Sequence, residues 1–308
     1  MSVGIEKIVT YIPPHRLQTD PESIGMTADF LDHTVGVRQV STIGPEENAV
    51  SICENLFSQL DAQLQMDFRQ HGQLVVVVGQ TLDTNMPHTS ALVHGRLGLN
   101  KDCVCFDVSL GCTGFVHGLS IVKSFMVEHG FSRALLFNVE IMSRIVDRTD
   151  RGTSPIFGDG ASLTFISDRP RWEMSNFSYG TSGTLAQALK CEDFRLKMDG
   201  QVVYEFVSRN VPKAIRQLLA KKEWQSQDVD KFVFHQASRR TVEKVRDFLK
   251  LKAEQVPFEI RDYGNLGACS IPVILAPMVE AKDLRRIVIC GFGVGLAWAA
   301  GILTRPGQ

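Results

Sequence analysis

The chain has 308 residues, of which 44% are hydrophobic and 22% charged, and a formal net charge of -1. That size and balance fit a soluble globular protein with room for two domains and a large core, and they give no bulk electrostatic case for nucleic acid or a membrane surface. No stretch approaches the ~18 uninterrupted apolar residues of a membrane span. The opening MSVGIEKIVTYIPP lacks the basic-then-apolar order of a secretory signal. Seven cysteines, odd in number and scattered through apolar runs, predict reduced thiols in a cytoplasmic protein rather than a disulfide framework.

Along the chain, β-rich runs alternate with amphipathic helices. Gln73–Val78, Val104–Val108, Ala134–Val139, Phe232–Phe234 and Ile287–Cys290 are continuous runs of the kind that form strands covered on both faces. Apolar residues at helical spacing predict helices over Asn48–Leu60, Thr113–His129 (closed by Gly130) and Thr241–Leu249. Asp168–Gly183 is the least regular stretch, and a boundary between two halves is expected there. Cys103 and Cys105 share one face of their strand run and read as small buried hydrophobes.

A weak internal repeat supports two halves. Val76–Thr81 resembles Phe232–Ala237, Ser109–Cys112 resembles Asn265–Ala268, and Arg133–Phe137 resembles Arg286–Cys290, all about half the chain apart and in the same order. A period this long implies duplicated domains rather than a solenoid. Related elements meeting at a pseudo-dyad would bring Cys112, His235 and Asn265 together between the halves, where pockets are favoured.

Each of these three residues has a chemical reading. Cys112 follows a strand and a glycine turn and precedes a helix, where the positive end of the helix dipole is expected to lower the thiol pKa and its own N–H is free to bind an oxyanion. His235 ends a short buried strand, a setting for a general acid/base or a donor to developing negative charge. Asn265 lies in a tight turn and can donate to a carbonyl oxygen that becomes an enolate. Taken singly, each also fits a structural residue: a buried thiol, a strand-end His, a turn Asn. The run Cys290–Gly301 is glycine-rich but has no acidic residue ~20 positions on, so a close backbone approach to substrate suits it better than dinucleotide binding. Gly158–Asp159–Gly160 reads as a structural turn.

Together these residues resemble the β-ketoacyl-acyl-carrier-protein synthase III family of the thiolase superfamily. The landmarks are GVRQ at Gly36–Gln39, GCTGF around Cys112, DRTDRGTSPIFGDGAS at Asp147–Ser162, HQAS at His235 and YGNLGACSIP around Asn265. The resemblance implies an α/β thiolase fold, with pseudo-symmetric halves (1–168 carrying Cys112, 169–308 carrying His235 and Asn265) in a layered α-β-α-β-α core. It also implies a Cys112–His235–Asn265 triad and a two-stage reaction. Cys112 would take an acyl group from an acyl-CoA or acyl carrier protein. Decarboxylation of a malonyl thioester held by His235 and Asn265 would then supply the carbon nucleophile. Oxyanion donors would be the N–H of Cys112 and one from the Gly293–Gly295 turn, assigned to Gly295. No metal or redox cofactor is implied.

Arg38 and Arg151 match positions near the coenzyme A entrance, and Arg240 matches one for carrier-protein docking. Phe30 replaces the family's usual tryptophan at the nucleotide site, Thr34 replaces a nearby arginine, and Met86 stands where a Phe commonly closes the partner subunit's acyl pocket. The run after Asn265, Leu266-Gly267-Ala268-Cys269, also departs from the usual small residues. These departures imply a carrier-protein preference and an accessory or secondary-metabolism member. A homodimer is implied, with a heterodimer as the alternative. Two other functions compete with condensation: acyl transfer from Cys112 to an amine or hydroxyl, which needs no Asn265, and a non-catalytic partner subunit.

Overall fold

A computed structural model describes residues 2–307. In chain order the strands and helices are β1 (Gly4–Tyr11), β2 (His15–Gln18), the single turn α1 (Ala28–Phe30), β3 (Gln39–Thr42), α2 (Ala49–Ser58), α3 (Ala62–His71), β4 (Leu74–Val78), α4 (Thr89–Leu97), β5 (Val104–Val108), α5 (Gly114–His129), β6 (Arg133–Glu140), β7 (Gly160–Ser167), β8 (Trp172–Thr181), β9 (Leu189–Glu192), β10 (Arg195–Met198), α6 (Gly200–Ala220), β11 (Lys231–Phe234), α7 (Arg239–Leu249), α8 (Ser270–Glu280), β12 (Arg286–Gly293) and β13 (Ala297–Thr304).

Nine strands form one sheet in the order β11-β12-β13-β8-β1-β7-β6-β4-β5. Its two arms repeat one plan. In the first, β4 is parallel to β6, β6 antiparallel to β7, and β7 antiparallel to β1. In the second, β11 is parallel to β12, β12 antiparallel to β13, and β13 antiparallel to β8. The arms join where β1 pairs with β8 through Gly4–Glu173 and Ile5–Trp172. A side chain at Gly4 would collide with the Trp172 carbonyl at 1.9 Å, so the junction depends on glycine.

Three apolar clusters define the layers. Between the arms, α5 and α8 bury Val116, Leu119, Ile271 and Leu275 against Val76 and Leu136 on one side and Val233 and Ile289 on the other. The outer face of the first arm is covered by α2, α3 and α4, through Ile52, Leu56, Phe68 and Val93. The outer face of the second is covered by α6 and α7, through Val207, Val211, Val242 and Val245. The result is the expected α-β-α-β-α stack. Strands buried on both faces need apolar side chains at every position, and Leu74–Val78 is buried throughout.

Helix ends follow their sequence signals. Asn48 caps α2 by accepting from Ser51 N at 2.9 Å, while Ser51 Oγ accepts from Asn48 N at 3.0 Å. Ser238 caps α7, and Gly130 closes α5 at φ 66°.

One expectation is corrected. Asp168–Gly183, read as irregular, contains the ten-residue strand β8 at the sheet's midpoint. Its alternation of apolar and polar residues breaks at Asn176, which has φ 51° and lies where the pairing with β13 shifts register between Ala300 and Ile302. A bulge inserts one residue and reverses the inside–outside pattern, which hides the strand from a period-two reading.

Candidate active site

Cys112 lies on the turn between β5 and α5, buried at 7% exposure. Around it, glycines admit the backbone of the second arm. A Cβ at Gly291 would come within 2.6 Å of the Cys112 carbonyl oxygen, and one at Gly293 within 2.7 Å of Sγ. The backbone of Val294, in the hairpin between β12 and β13, lies near enough to the Cys112 sulfur to favour its charged form. Of the glycine turn, Val294 lines the Cys112 cavity, whereas Gly295 is not among its lining residues. A turn motif marks where the chain comes close but not which of its residues lines the cavity.

The thiol pKa also differs from expectation. Burial pushes it up to about 11, and the Val294 contact offsets this only in part. α5 begins at Gly114, two residues beyond the thiol, and the dipole's effect falls off within a turn. Desolvation therefore outweighs it.

His235 directly follows β11, fixed by its backbone N–H to Cys290 O at 2.8 Å, and its ring meets Phe292 edge-on at 5.5 Å. It is 1% exposed. Burial, opposed by the Gly267 backbone, lowers its pKa to about 3, so the ring is neutral. Its Nδ1 has no hydrogen-bond partner.

Asn265 is held between Ile156 O, which accepts from its N–H at 2.7 Å, and Gly158 N, which donates to its carbonyl at 3.1 Å. Its side-chain Oδ1 accepts from Gly267 N at 3.0 Å and Ser270 Oγ at 3.3 Å. Two donors on Oδ1 fix the amide's orientation and leave Nδ2 as the atom available to donate.

Shared neighbours connect the three. Gly293 presses on Cys112 and the adjacent Phe292 on His235, while Gly267 touches both His235 and Asn265 and lines the Cys112 cavity. That cavity holds about 310 Å³, with Met142, Ile145, Phe157 and Leu196 as its apolar walls and the β9–β10 hairpin at one side.

A second cavity of about 220 Å³ brings Phe30, Thr34, Arg151 and Arg240 together with Tyr204. The Arg240 guanidinium stacks on the Tyr204 ring at 4.4 Å. Arg38 does not line this cavity. Its Nε and Nη2 are bound to the Asp32 carboxylate at 2.7 and 2.9 Å. An acid six residues upstream can satisfy an arginine, a pairing that motif position alone does not reveal. Met86 is 88% exposed and is not among the residues lining the Cys112 cavity.

The expected structural turn at Gly158–Gly160 is buried around Asp159, whose carboxylate accepts from Ile43 N, Ser143 N and Ser143 Oγ at 2.6–2.8 Å. Sequence reasoning missed Val294 and also Glu140, a buried acid in the Cys112 cavity. An acid ending an apolar strand was the available signal.

A buried thiol, a neutral imidazole and an oriented amide, drawn from both arms of a thiolase-type sheet, define the class as condensing enzymes of the thiolase fold. Family models place this chain within that class. The model described as 3-oxoacyl-[acyl-carrier-protein (ACP)] synthase III matches residues 106–183, and its C-terminal counterpart matches 219–305. The β-ketoacyl-[acyl-carrier-protein] synthase III of Lactobacillus helveticus is 32% identical, with 92% of this chain and 93% of that protein covered. Among solved structures, the corresponding synthase of Pseudomonas aeruginosa PAO1 is 28% identical with TM-score 0.88, covering 99% of each chain. That of Thermus thermophilus is 27% identical, also with TM-score 0.88, covering 99% of this chain and all of its own. The chain belongs to the β-ketoacyl-acyl-carrier-protein synthase III family and is a condensing transferase. No helix among the described residues is long and apolar enough to cross a membrane.

Proposed function

We propose that Cys112 is acylated by an acyl thioester and that the acyl group is then condensed with a malonyl thioester to a β-ketoacyl product, in fatty-acid or secondary metabolism. The observation that carries this reading is the orientation of Asn265. With Oδ1 occupied by Gly267 and Ser270, Nδ2 can donate to a thioester carbonyl as its oxygen gains charge. Acyl transfer to an amine or hydroxyl needs no such donor.

In the first half-reaction the Cys112 sulfur attacks the donor's carbonyl carbon. The tetrahedral oxyanion takes hydrogen bonds from Cys112 N–H and Val294 N–H, and the donor thiol leaves. In the second, His235 and Asn265 bind the malonyl thioester oxygen while carbon dioxide departs. A neutral imidazole suits this task because its N–H donates without adding a buried charge. The enolate carbon attacks the acyl carbonyl, a carbon–carbon bond forms, and the Cys112 sulfur is released. Nothing in this sequence requires a metal or redox cofactor.

The second cavity is the proposed thioester entrance, with Phe30 and Arg151 toward coenzyme A and Arg240 toward the carrier protein. Arg38, bound to Asp32, is reassigned to a structural role. Met86 is proposed to complete the acyl pocket of a second copy in a cytoplasmic homodimer, and 1–168 and 169–308 are proposed as the two thiolase halves. The test is intact mass after incubation with a panel of acyl-CoAs and acyl carrier proteins. A single adduct absent from Cys112→Ala supports the reading. A folded protein that takes up no acyl group from any donor refutes it.

A further inference from the structure

One buried acid at the site has no part in the chemistry above. Glu140 ends β6, is 1% exposed, and lines the same cavity as Cys112. Its Oε2 accepts from the Thr81 hydroxyl at 3.1 Å. The amides of Gln80 and Ala268 lie near enough to favour its charged form, yet Oε1 has no well-formed hydrogen bond. The side chain packs directly on Gly267, where an added Cβ would stand 3.0 Å from Glu140 Cγ and 3.2 Å from Oε1. The missing side chain at 267 is what admits the glutamate.

The titratable groups that feel this carboxyl are Cys112 on the turn before α5, Cys269 before α8 and Asp159 before β7. All are acids. Lys190, which also lines the cavity, is paired with Glu192 at 3.3 Å, and two like charges on groups this deeply buried repel strongly.

We propose that Glu140 governs the reactivity of the Cys112 thiol, because their shared cavity tolerates one negative charge and the thiol ionises readily only while Glu140 is protonated. Glu140 is thus a positioning residue that acts through Cys112. Ionisation of the thiol releases its proton to solvent, and an ionised Glu140 opposes the charge left on the sulfur. The direction of both shifts agrees. Burial pushes Glu140 up to about 7 and Cys112 up to about 11, with the Glu140 charge contributing to the second. Two coupled acids titrate as a pair. Below neutrality Glu140 is protonated and the thiolate fraction climbs with pH. Around pH 7 Glu140 ionises and the climb stalls, and above that it resumes along a lower line.

The inference rests on Cys112 as the acyl acceptor, but its test needs no acyl donor. The rate of Cys112 alkylation by iodoacetamide is followed by peptide mass in the full chain from pH 5 to 10. The wild type is expected to show a shoulder near pH 7. Glu140→Gln is expected to lose the shoulder, match the wild type in the acid range and run severalfold faster in the alkaline range. Glu140→Asp keeps the acid and keeps a shoulder. A shoulder that persists in E140Q, an E140Q profile superimposed on the wild type, or an Asp variant with no shoulder overturns the proposal. Failure to acylate Cys112 would instead count against the condensing mechanism and leave these profiles to be judged on their own.

Discussion

Gly293 offers the sharpest test of how the site is built. Its φ of 150° disfavours any residue with a side chain, and a Cβ there would meet Cys112 Sγ at 2.7 Å and Cys112 Cβ at 2.8 Å. Non-bonded atoms settle at about 3.5–4.0 Å, so Gly293→Ala must push the thiol or the β12–β13 hairpin away by about 1 Å. A displacement of that size at a reacting centre costs on the order of 10²-fold in rate, and the backbone strain adds about 1–3 kcal/mol of instability. The assay is the single-turnover rate of Cys112 acylation by intact mass, with thermal melting alongside. The expected result is a folded, less stable protein that acylates on the order of 100-fold more slowly. A G293A protein that acylates at the wild-type rate would refute the claim that this glycine seats the thiol.

Three further outcomes follow from the geometry. Asn265→Ala should leave acylation of Cys112 intact and slow condensation by about 10²–10³-fold, the usual effect of one lost oxyanion donor. Measuring the two half-reactions separately checks this, and an equal loss in both would contradict it. His235 has a folded pKa of about 3, below its unfolded value, so native stability falls as pH drops below about 6.5. At pH 5 the loss assigned to this residue is about 2 kcal/mol, and His235→Asn should show a flatter melting-temperature profile between pH 7 and 4. Arg240→Glu should raise the KM for an acyl carrier protein about tenfold or more, since a charge reversal opposes an acidic partner. Arg38→Glu should do so far less, because its guanidinium is already bound to Asp32.

Much of this is legible in the sequence. Leu74–Val78 declared itself because an element covered on both faces allows no polar position, whereas Val104–Val108, read the same way, is the sheet's edge strand and has no fully buried residue. The paired offsets between Ser109–Cys112 and Asn265–Ala268 anticipated the repeated strand order, since duplicated turns keep their glycines. What escaped depends on angles that side-chain chemistry does not encode. The bulge at Asn176 hid β8, Val294 rather than Gly295 lines the Cys112 cavity, and Arg38 is bound to Asp32 within its own loop. Two opposed effects act on the thiol: the helix start is visible in sequence, whereas the desolvation that pushes its pKa up is set by the whole fold.

That sign bears on how the nucleophile works. A resting thiolate–imidazolium pair would require both residues to carry charge, yet burial raises Cys112 to about 11 and lowers His235 to about 3. Each shift opposes its charged form, so the resting site holds a thiol and a neutral ring. Reactivity must then be created as the donor arrives. The sulfur's negative charge is passed to the substrate oxygen during attack, where the proposed donors are Cys112 N–H and Val294 N–H. His235 would become a buried cation in taking the thiol proton, a state its own desolvation opposes. The departing donor thiolate needs a proton, so the S–H proton can pass to it with no new charge left in the cavity, and His235 stays neutral for the second half-reaction, in which a donor rather than a base is required.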